Sequence, residues 1–261
     1  MKTLSFGMFL ITSTLVGACT TQGGSSTTTP GEDELGGEVG DGEQAKADSQ
    51  DNFNFLEVRK IGAFECNGVG SCTHLELNRA NRSTTTCADN KSAAVCTART
   101  LDLSKLTLTQ AKKNAIMTAL QNQAGNPDLG TQVLVRGKFV HGTNPLTPTV
   151  DWVTFQPTEV WVAQLADGSA DGTFVRVNDN GRRCIDAPCA ATHEGRLNSV
   201  KTLDVDGLDY ADDVASSMTE KVYTAMTTPD GAIVAGDRTH GTMMHLPTTL
   251  RSVNQVYLRV K

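Results

Sequence analysis

The alternation of apolar and polar side chains predicts a protein built mainly of β-strands. Phe55–Lys60 and Thr73–Asn78 alternate apolar residues with charged or polar ones, which is the pattern of a strand that buries one face. Shorter segments of the same kind predict further strands at residues 97–103, 132–140, 154–163, 232–237 and 252–261. The folded part of the chain is therefore expected to be rich in β-sheet.

Two segments show the wider spacing of a helix instead. In Thr107–Gln121 the apolar residues recur three or four positions apart, and Thr107 or Thr109 can cap the first turn. In Ala211–Met226 the apolar residues form one stripe. The sequence therefore predicts one helix in each half of the folded part.

These elements recur in the same order, together with short motifs that match between the halves. The matched pairs are Cys66…Cys72 with Cys184…Cys189, Leu77-Asn78 with Leu197-Asn198, Leu101-Asp102-Leu103 with Leu203-Asp204-Val205, His141-Gly142-Thr143 with His240-Gly241-Thr242, and Glu159-Val-Trp-Val162 with Gln255-Val-Tyr-Leu258. A shared order and shared motifs indicate a tandem duplication. We expect a first repeat unit at residues 53–166 and a second at residues 167–261.

Each repeat unit follows the order strand, strand, strand, helix, strand, strand. The predicted fold class is therefore α+β and strand-rich, a tandem duplication of a β-β-β-α-β-β unit. We take small OB-like barrels as the first prediction, because five-stranded barrels of the OB type share that order. Open antiparallel sheets, each with one helix, are the alternative. Trp152, Trp161 and Tyr257 are candidates for the interface between the units, and core packing is the plainer explanation for all three.

The first residues carry the features of an export signal. Leu4–Val16 is apolar but shorter than the roughly 20 residues that span a bilayer. Val16-Gly17-Ala18-Cys19 places small residues before a cleavage point and resembles the lipobox of bacterial lipoproteins. We expect residues 1–18 to be a signal peptide and Cys19 to be lipidated and anchored in a membrane. Thr20 replaces the Asp that retains enterobacterial-type lipoproteins in the inner membrane, so an outer-membrane lipoprotein of the cell envelope is expected.

Residues 19–52 predict a flexible, disordered linker, because Gly, Ser, Thr and acidic residues dominate them. The linker holds eight acidic residues and one base, Lys46, whereas residues 53–261 hold 21 acids and 21 bases. The negative net charge of the chain therefore lies in the linker, and the folded part is neutral. A neutral folded part argues against nucleic acid as a partner, because phosphate binding needs a basic face.

The cysteines fit an exported protein. There are seven, and setting Cys19 aside leaves six in an oxidising compartment where disulfides form. We predict local pairing as Cys66–Cys72, Cys87–Cys96 and Cys184–Cys189, although spacing alone leaves the connectivity open. A metal site built from the first four of these cysteines is the rival. Its intervals of five and eight residues exceed the roughly two to four that usually separate such ligands.

A longer run of motifs resembles a known family. It comprises the cysteine loop followed by Leu-Asn, Asn81-Arg-Ser-Thr-Thr-Thr-Cys-Ala-Asp89, Leu134-Val-Arg-Gly137, Glu159-Val-Trp-Val162, and Gly172-Thr-Phe-Val-Arg-Val-Asn-Asp-Asn-Gly181 with Arg183-Cys184 and Pro188-Cys189. In these motifs residues 53–261 are similar to myxobacterial-type lipoproteins that share a domain of unknown function. Glu65-Cys66 and Gly70-Ser71-Cys72 depart from the Arg-Cys and Pro-Cys of that family. The resemblance implies a lipoprotein of deltaproteobacterial type and implies no activity.

Few residues are placed to carry chemistry. The histidines are at 74, 141, 193, 240 and 245, and we match His74 with His193 and His141 with His240. A metal or acid–base site could combine His193-Glu194 with His240 or His245, but no His-Glu-x-x-His spacing supports it. Packing or turn hydrogen bonds in a duplicated scaffold are the plainer explanation.

Other site patterns are weaker still. Asp204, Asp206 and Asp209 resemble a calcium loop only faintly, because Ala215 stands where that loop needs its final glutamate. No Gly-x-Ser-x-Gly nucleophile motif is present. We therefore assign no catalytic residue, no metal ligand and no cofactor.

The leading functional hypothesis is a non-enzymatic envelope lipoprotein with a binding or structural role. Its lipid anchor would hold it at the membrane, and a protein or glycan of the envelope would be its partner. One alternative is a secreted hydrolase or metal-binding protein that uses His with Asp or Glu. Another is a protease inhibitor that presents a disulfide-braced loop such as Cys184–Cys189. Convergence of His193, His240 and an acid in one cleft would favour the enzyme.

Overall fold

A computed structural model describes residues 54–65, 71–143, 151–166, 168–212 and 214–261. Its strands are β1 (Phe55–Glu65), β2 (Ser71–Arg79), β3 (Thr85–Thr86), β4 (Ser92–Ala93), β5 (Cys96–Ala98), β6 (Thr100–Leu101), β7 (Val133–Thr143), β8 (Asp151–Ala163), β9 (Thr173–Asp179), β10 (Thr192–Arg196), β11 (Thr202–Val205), β12 (Gly207–Tyr210), β13 (Ala232–Gly236), β14 (Arg238–Met243), β15 (Leu246–Val253) and β16 (Gln255–Arg259). Its α-helices are α1 (Gln110–Gly125), before β7, and α2 (Ser216–Met226), before β13.

Most of these strands form one sheet in the order β11-β10-β9-β13-β16-β8-β7-β1-β2-β5. Every neighbouring pair along this path is antiparallel. The prediction of a strand-rich α+β fold is confirmed. The path ends at β5 and β11, so within the described residues the sheet is open and no closed barrel forms. The prediction of OB-like barrels is wrong, and the alternative of open antiparallel sheets is confirmed.

A barrel would require the third strand of each half to pair along its length with the fifth strand, but in each half these two strands make only a short parallel contact. β6 follows β5 after a break at Arg99 and pairs with β8 through two residues. β12 follows β11 after a break at Asp206 and pairs with β15 through four residues. The backbone turns away from the sheet at each break, so neither contact extends into the continuous ladder that a barrel requires.

The two halves of the sheet have the same strand order. With the small β3–β4 hairpin set aside, β5-β2-β1-β7-β8 and β11-β10-β9-β13-β16 each run third, second, first, fourth, fifth. The two fifth strands meet in the middle, where Leu258 faces Val162. On either side of this pair Tyr257 faces Ala163 and Arg259 faces Trp161. The halves are therefore related by a pseudo-two-fold axis through the β8–β16 junction.

The strand registers show which residues of the two halves are equivalent. His141 faces Val153 and His240 faces Thr249 at the same distance along the two hairpins, in agreement with the predicted match. The match of Leu77-Asn78 with Leu197-Asn198 is wrong. Arg79 faces Leu56 and Arg196 faces Val175, so the counterpart of Leu197-Asn198 is Ala80-Asn81.

Two further predicted matches shift for the same reason. The counterpart of His193 is Glu76 rather than His74. Leu101 faces Phe155 and Leu208 faces Arg251, so Leu101-Asp102 corresponds to Leu208-Asp209 and not to Leu203-Asp204. Doublets such as Leu-Asn and Leu-Asp occur more than once in the chain, and only hydrogen-bond registers separate the true copy from the accidental one.

Both helices pack on the same face of the sheet, each against the strands of its own half. Ile116 and Leu120 of α1 join Val58, Val135 and other residues of the first half in one buried cluster. Val222 and Met226 of α2 do the same with the second half. The Thr109 side chain caps α1 by accepting a hydrogen bond from the Lys112 amide, as predicted. The predicted start of α2 at Ala211 is wrong, because the helix begins only at Ser216, with Ala215 as its N-cap.

The opposite face of the sheet is filled by one large side chain from each of six strands. These residues are Phe55, Leu134, Trp161, Phe174, Ile233 and Tyr257. Phe55 packs edge-on against Trp161 and Phe174 packs tilted against Tyr257, with ring centroids 6.3 and 5.9 Å apart. Trp161 and Tyr257 therefore belong both to the core and to the junction between the halves. Trp152 lies outside this cluster, where Arg99 stacks over its ring.

Two asparagines, Asn81 and Asn198, bind the opposite halves reciprocally, and we call them the asparagine clasp. Asn198 accepts from the Phe55 amide at 3.1 Å and donates to the carbonyls of Phe55 and Ala80 at 2.8 Å. Asn81 accepts from the Phe174 amide at 2.9 Å and donates to the carbonyls of Phe174 and Leu197. Phe55 and Phe174 lie on strands separated by four others, so the sheet curves to bring them together.

A buried ion-pair cluster, Glu194, Arg238 and Arg251, supports the second half. The Glu194 carboxylate is 1 % exposed and accepts hydrogen bonds from both guanidinium groups. The counterparts of these residues in the first half are Leu77, Phe139 and Phe155, which pack in the apolar core. The same three positions are thus apolar in one repeat and ionic in the other.

Two of the three predicted disulfides lie within the described residues, and both are present. They join Cys87 to Cys96 and Cys184 to Cys189. The predicted pair Cys66–Cys72 and the predicted lipidation site Cys19 fall outside the described residues, because residues 66 and 19 are not described. Across the described segments, no helix is long and apolar enough to cross a membrane.

Candidate functional site

The loop between β9 and β10 is both strongly fixed and exposed to solvent. We define it as the braced loop, residues 180–191. The Cys184–Cys189 disulfide closes its tip. The Asn180 side chain accepts from the Arg182 amide at 2.9 Å and donates to the Ala190 carbonyl at 2.8 Å, which ties the two ends together.

Two arginines attach the braced loop to the sheet. Arg183 donates two hydrogen bonds, of 2.9 and 2.6 Å, to the carboxylate of Asp179 at the end of β9. Arg182 lies 3.2 Å from the carboxylate of Asp204 on β11. A paired guanidinium and carboxylate fix direction as well as distance. The loop is therefore held at its root by charge and at its tip by a covalent bond.

The electrostatics of the loop favour ionised carboxylates. The Arg183 guanidinium and the Gly181 amide lower the pKa of Asp179 to about 2. The hydrogen bond from His193 lowers the pKa of Asp204, with a smaller effect from Arg182. Both acids therefore carry their negative charge throughout the neutral range, and both pairs with arginine persist there.

The tip of the braced loop presents an apolar side chain to water. Ile185 lies between the two cysteines and is fully exposed, at 101 % relative accessibility. Exposed Arg182, Arg183 and Asp186 surround it. Sequence reasoning bracketed this loop by its cysteines but did not single out Ile185 or Asp179. A β-branched apolar residue between two closely spaced cysteines was the available signal.

The residues predicted for an acid–base or metal site do not converge. His193 contacts Asp204 through Nδ1 at 2.8 Å, on one face of the sheet. Glu194, its neighbour in the strand, points to the other face and is occupied by two arginines. His240 contacts the Thr249 hydroxyl on the hairpin of β14 and β15, and His245 lies at the tip of that hairpin.

The other candidate ligands are dispersed as well. His74 lies 3.5 Å from Glu76, and the His141 ring contacts the Ala88 carbonyl. Asp206 accepts from the hydroxyl of Thr248 and the amide of Thr249, whereas Asp204 contacts His193. Over the described part of the chain, no group of three His, Cys, Asp or Glu side chains could hold a metal ion. The calcium-loop pattern at 204–209 therefore has no matching geometry.

A cleft of about 510 Å³ lies between α2 and the end of β16. Glu220, Lys221, Thr224 and Asp230 line it together with the last residues of the chain. Asp230 already pairs with Arg259 and Lys261. The charges of the cleft are thus largely matched within the protein, and the braced loop remains the stronger candidate.

Comparisons with known proteins give one match. A family model described as Domain of unknown function (DUF6748) matches residues 65–261, which is well over half of the chain and includes the braced loop. No curated protein and no solved structure matches the chain.

Proposed function

This chain belongs to the family of the Domain of unknown function (DUF6748), and we propose that it is a non-enzymatic, lipid-anchored protein of the cell envelope that binds a partner protein through its braced loop. The observation that carries the proposal is the full exposure of Ile185 at the tip of a loop fixed by a disulfide and by ion pairs. Rigid support distinguishes Ile185 from an ordinary exposed apolar residue, which by itself needs no explanation.

Preorganisation gives the braced loop a thermodynamic advantage in binding. Ordering a flexible loop at an interface costs about 0.5–1.5 kcal/mol for each side chain that becomes immobilised. In this loop the disulfide and the Asp179–Arg183 pair already fix the backbone around Ile185. Burying a side chain of this size in an apolar pocket contributes roughly 1.5–3 kcal/mol. A partner with such a pocket would gain that contribution at little entropic cost.

The chemistry of the tip favours a protein over a glycan. A projecting aliphatic side chain with arginines and an aspartate around it has the character of an interface anchor with a polar rim. A glycan offers mainly hydroxyl groups and no deep apolar pocket to receive Ile185. The nearest stacking surface for a sugar would be an aromatic side chain, and residues 180–191 contain none.

The alternatives have less support. A protease inhibitor presents an extended segment to its target, whereas residues 185–187 form a bend inside a ring with four residues between its cysteines. A hydrolase needs an acid or base beside a nucleophile. The described contacts of His193 and Asp204 include each other and Arg182, and no Ser, Thr or Cys side chain.

The sequence supports the anchor. The lipobox at Val16–Cys19, the odd number of cysteines and the acidic linker are typical of a lipoprotein whose folded part is joined to its lipid anchor by a flexible linker. A flexible linker of this length has an end-to-end distance of roughly 30 Å. We propose the outer membrane of a myxobacterial-type envelope as the location, on the grounds of Thr20 and of the family resemblance.

The test places a photo-crosslinking amino acid at Asp186 in cells that produce the full chain. We expect one discrete protein adduct, retained with Ile185→Val and reduced about tenfold or more with Ile185→Asp, because a buried unpaired charge is strongly unfavourable. The matched control carries the crosslinker at Val200, another exposed apolar position. Equal adducts with Ile185→Asp, or none at all, would refute the binding role.

The same cells test the anchor separately. An alkyne fatty acid should label the chain, and Cys19→Ser should abolish that label. If the fatty-acid label is present but no adduct forms, the binding role of the braced loop is refuted. If the adduct forms but the label is absent, the lipid anchor is refuted.

A further inference from the structure

The hairpin formed by β14 and β15 ends in an uncharged, exposed tip. Residues 239–247 are all exposed, and residues 239–250 include no Asp, Glu, Lys or Arg, although 20 % of the chain is charged. Met243, Met244 and Leu246 at the tip are 38, 76 and 51 % exposed. These nine consecutive exposed residues therefore combine an apolar tip with polar but uncharged flanks.

The tip has a strained turn. Met243 pairs with Leu246, and Met244 and His245 between them have φ angles of 52° and 68°. Two-residue turns with both φ values positive favour Asn-Gly, because larger side chains are strained in the left-handed region. Here a methionine and a histidine occupy these positions. Local strain combined with an exposed apolar side chain points to a surface role for the tip rather than a role in folding.

The base of the hairpin is rigid. Arg238 and Arg251 face each other across the two strands, and both bind the buried Glu194. The tip stands five residues beyond Arg238, roughly 16 Å along a strand. The charges are therefore fixed and matched at the base, well away from the apolar end.

We infer that this hairpin tip docks into the interfacial region of a lipid bilayer. Elements that lie in this region bury their apolar face roughly 5–10 Å into the boundary between headgroups and acyl chains, and charged side chains become costly below that depth. Residues 239–250 carry none. The braced loop differs in this respect, because the charged residues Arg182, Arg183 and Asp186 flank its exposed apolar side chain.

Two observations strengthen the lipid assignment. Residues 141–150, which match 240–249 across the repeats at their histidines, also contain no Asp, Glu, Lys or Arg, although residues 144–150 lie outside the described part. The linker would also hold the folded part close to the membrane, so that a weak affinity of the tip suffices. Only this second observation rests on the proposed anchor.

The experiment uses the mature chain from Thr20 to Lys261 without acyl groups, so its outcome does not depend on Cys19. A solvatochromic amino acid at position 244 is read with vesicles of phosphatidylethanolamine and phosphatidylglycerol at millimolar lipid. We expect a blue shift and quenching by acyl-brominated lipid. The same probe at position 185 should show neither.

Sedimentation with these vesicles supplies the second readout. Met244→Asp should lower the bound fraction about tenfold, and Met244→Leu should retain it. Val200→Asp is the matched control with the same charge change at another exposed apolar position and should leave binding unchanged. No shift at position 244, or equal effects of the two aspartates, would overturn the inference. A crosslinker at 244 that captures protein and no lipid in cells would assign the tip to a protein partner instead.

Discussion

At the scale of single residues, the Glu194 cluster shows how one repeat can exchange an apolar contact for an ionic one. Leu77, Phe139 and Phe155 fill these positions in the first half and need no partner. Glu194 and Arg251 are almost completely buried, so each depends on the other for its hydrogen bonds. Removing one member of a buried ion-pair cluster leaves the remaining charges buried without a partner, whereas removing all members leaves no such charge.

We predict opposite effects for two changes at this cluster. Glu194→Gln should lower the free energy of unfolding by about 3 kcal/mol, because it leaves two guanidinium groups facing each other without a counter-charge. The triple change Glu194→Leu, Arg238→Phe and Arg251→Phe, which copies the first half, should be neutral or stabilising. Urea denaturation measures both. A triple variant less stable than Glu194→Gln would show that the two repeats cannot exchange these side chains.

At the scale of elements, the braced loop depends on one carboxylate. Asp179 ends β9, and its pair with Arg183 joins the strand to the loop. Its pKa is about 2, against an ordinary value of 3.8. The stabilisation from this pair is therefore complete above pH 4 and is lost only as the pH falls through the lower value. The loop should keep its conformation over the whole neutral and mildly acidic range.

The amide of Gly181, which donates to Asp179, reports this titration by NMR. We predict a midpoint near pH 2 in the parent chain. Arg183→Gln should move the midpoint upward toward 3.8, because the guanidinium is the main cause of the shift. A midpoint near 3.8 in the parent chain would contradict the ion pair.

The sequence predicted the strands and helices better than it predicted which residues of the two repeats are equivalent. Strands such as β1 and helices such as α1 are visible because their apolar residues recur with the period of the element. The exchange of Leu77 and Phe155 for Glu194 and Arg251 removed the pattern that would have aligned the repeats correctly. The position of Ile185 between two closely spaced cysteines was visible in the sequence, but its full exposure was not, because exposure depends on the arrangement of the loop and not on its composition.

At the scale of the whole molecule, the two repeats form one sheet and share their closing contacts. The β8–β16 junction joins their backbones, and the asparagine clasp joins their first strands on the other side. Neither contact was predictable from periodicity, since both fifth strands look like ordinary buried strands and asparagine has no apolar signal. We expect the halves to unfold in one transition, followed identically by probes in either half.

The clasp itself gives the sharpest test of this coupling. Asn198→Gly removes three buried hydrogen bonds without strain and should lower the free energy of unfolding by about 3 kcal/mol. Asn198→Ala should cost about 1 kcal/mol more, because its φ of 56° is unfavourable for alanine. Asn81→Gly, at a less buried site, should cost less than Asn198→Gly. Denaturation with separate probes in each half measures all three, and independent transitions would contradict the coupling.

The clasp also sets a condition on the biogenesis of the protein. The backbone of Phe55 receives its partner from Asn198, 143 residues later in the chain. A chain that emerges from its N-terminus therefore cannot form the hydrogen bonds between Phe55 and Asn198 until most of its length has appeared. Products truncated before that point leave the Phe55 amide and carbonyl without their hydrogen bonds to Asn198. The contact that joins the first strands of the two halves therefore forms only in a chain that extends through Asn198.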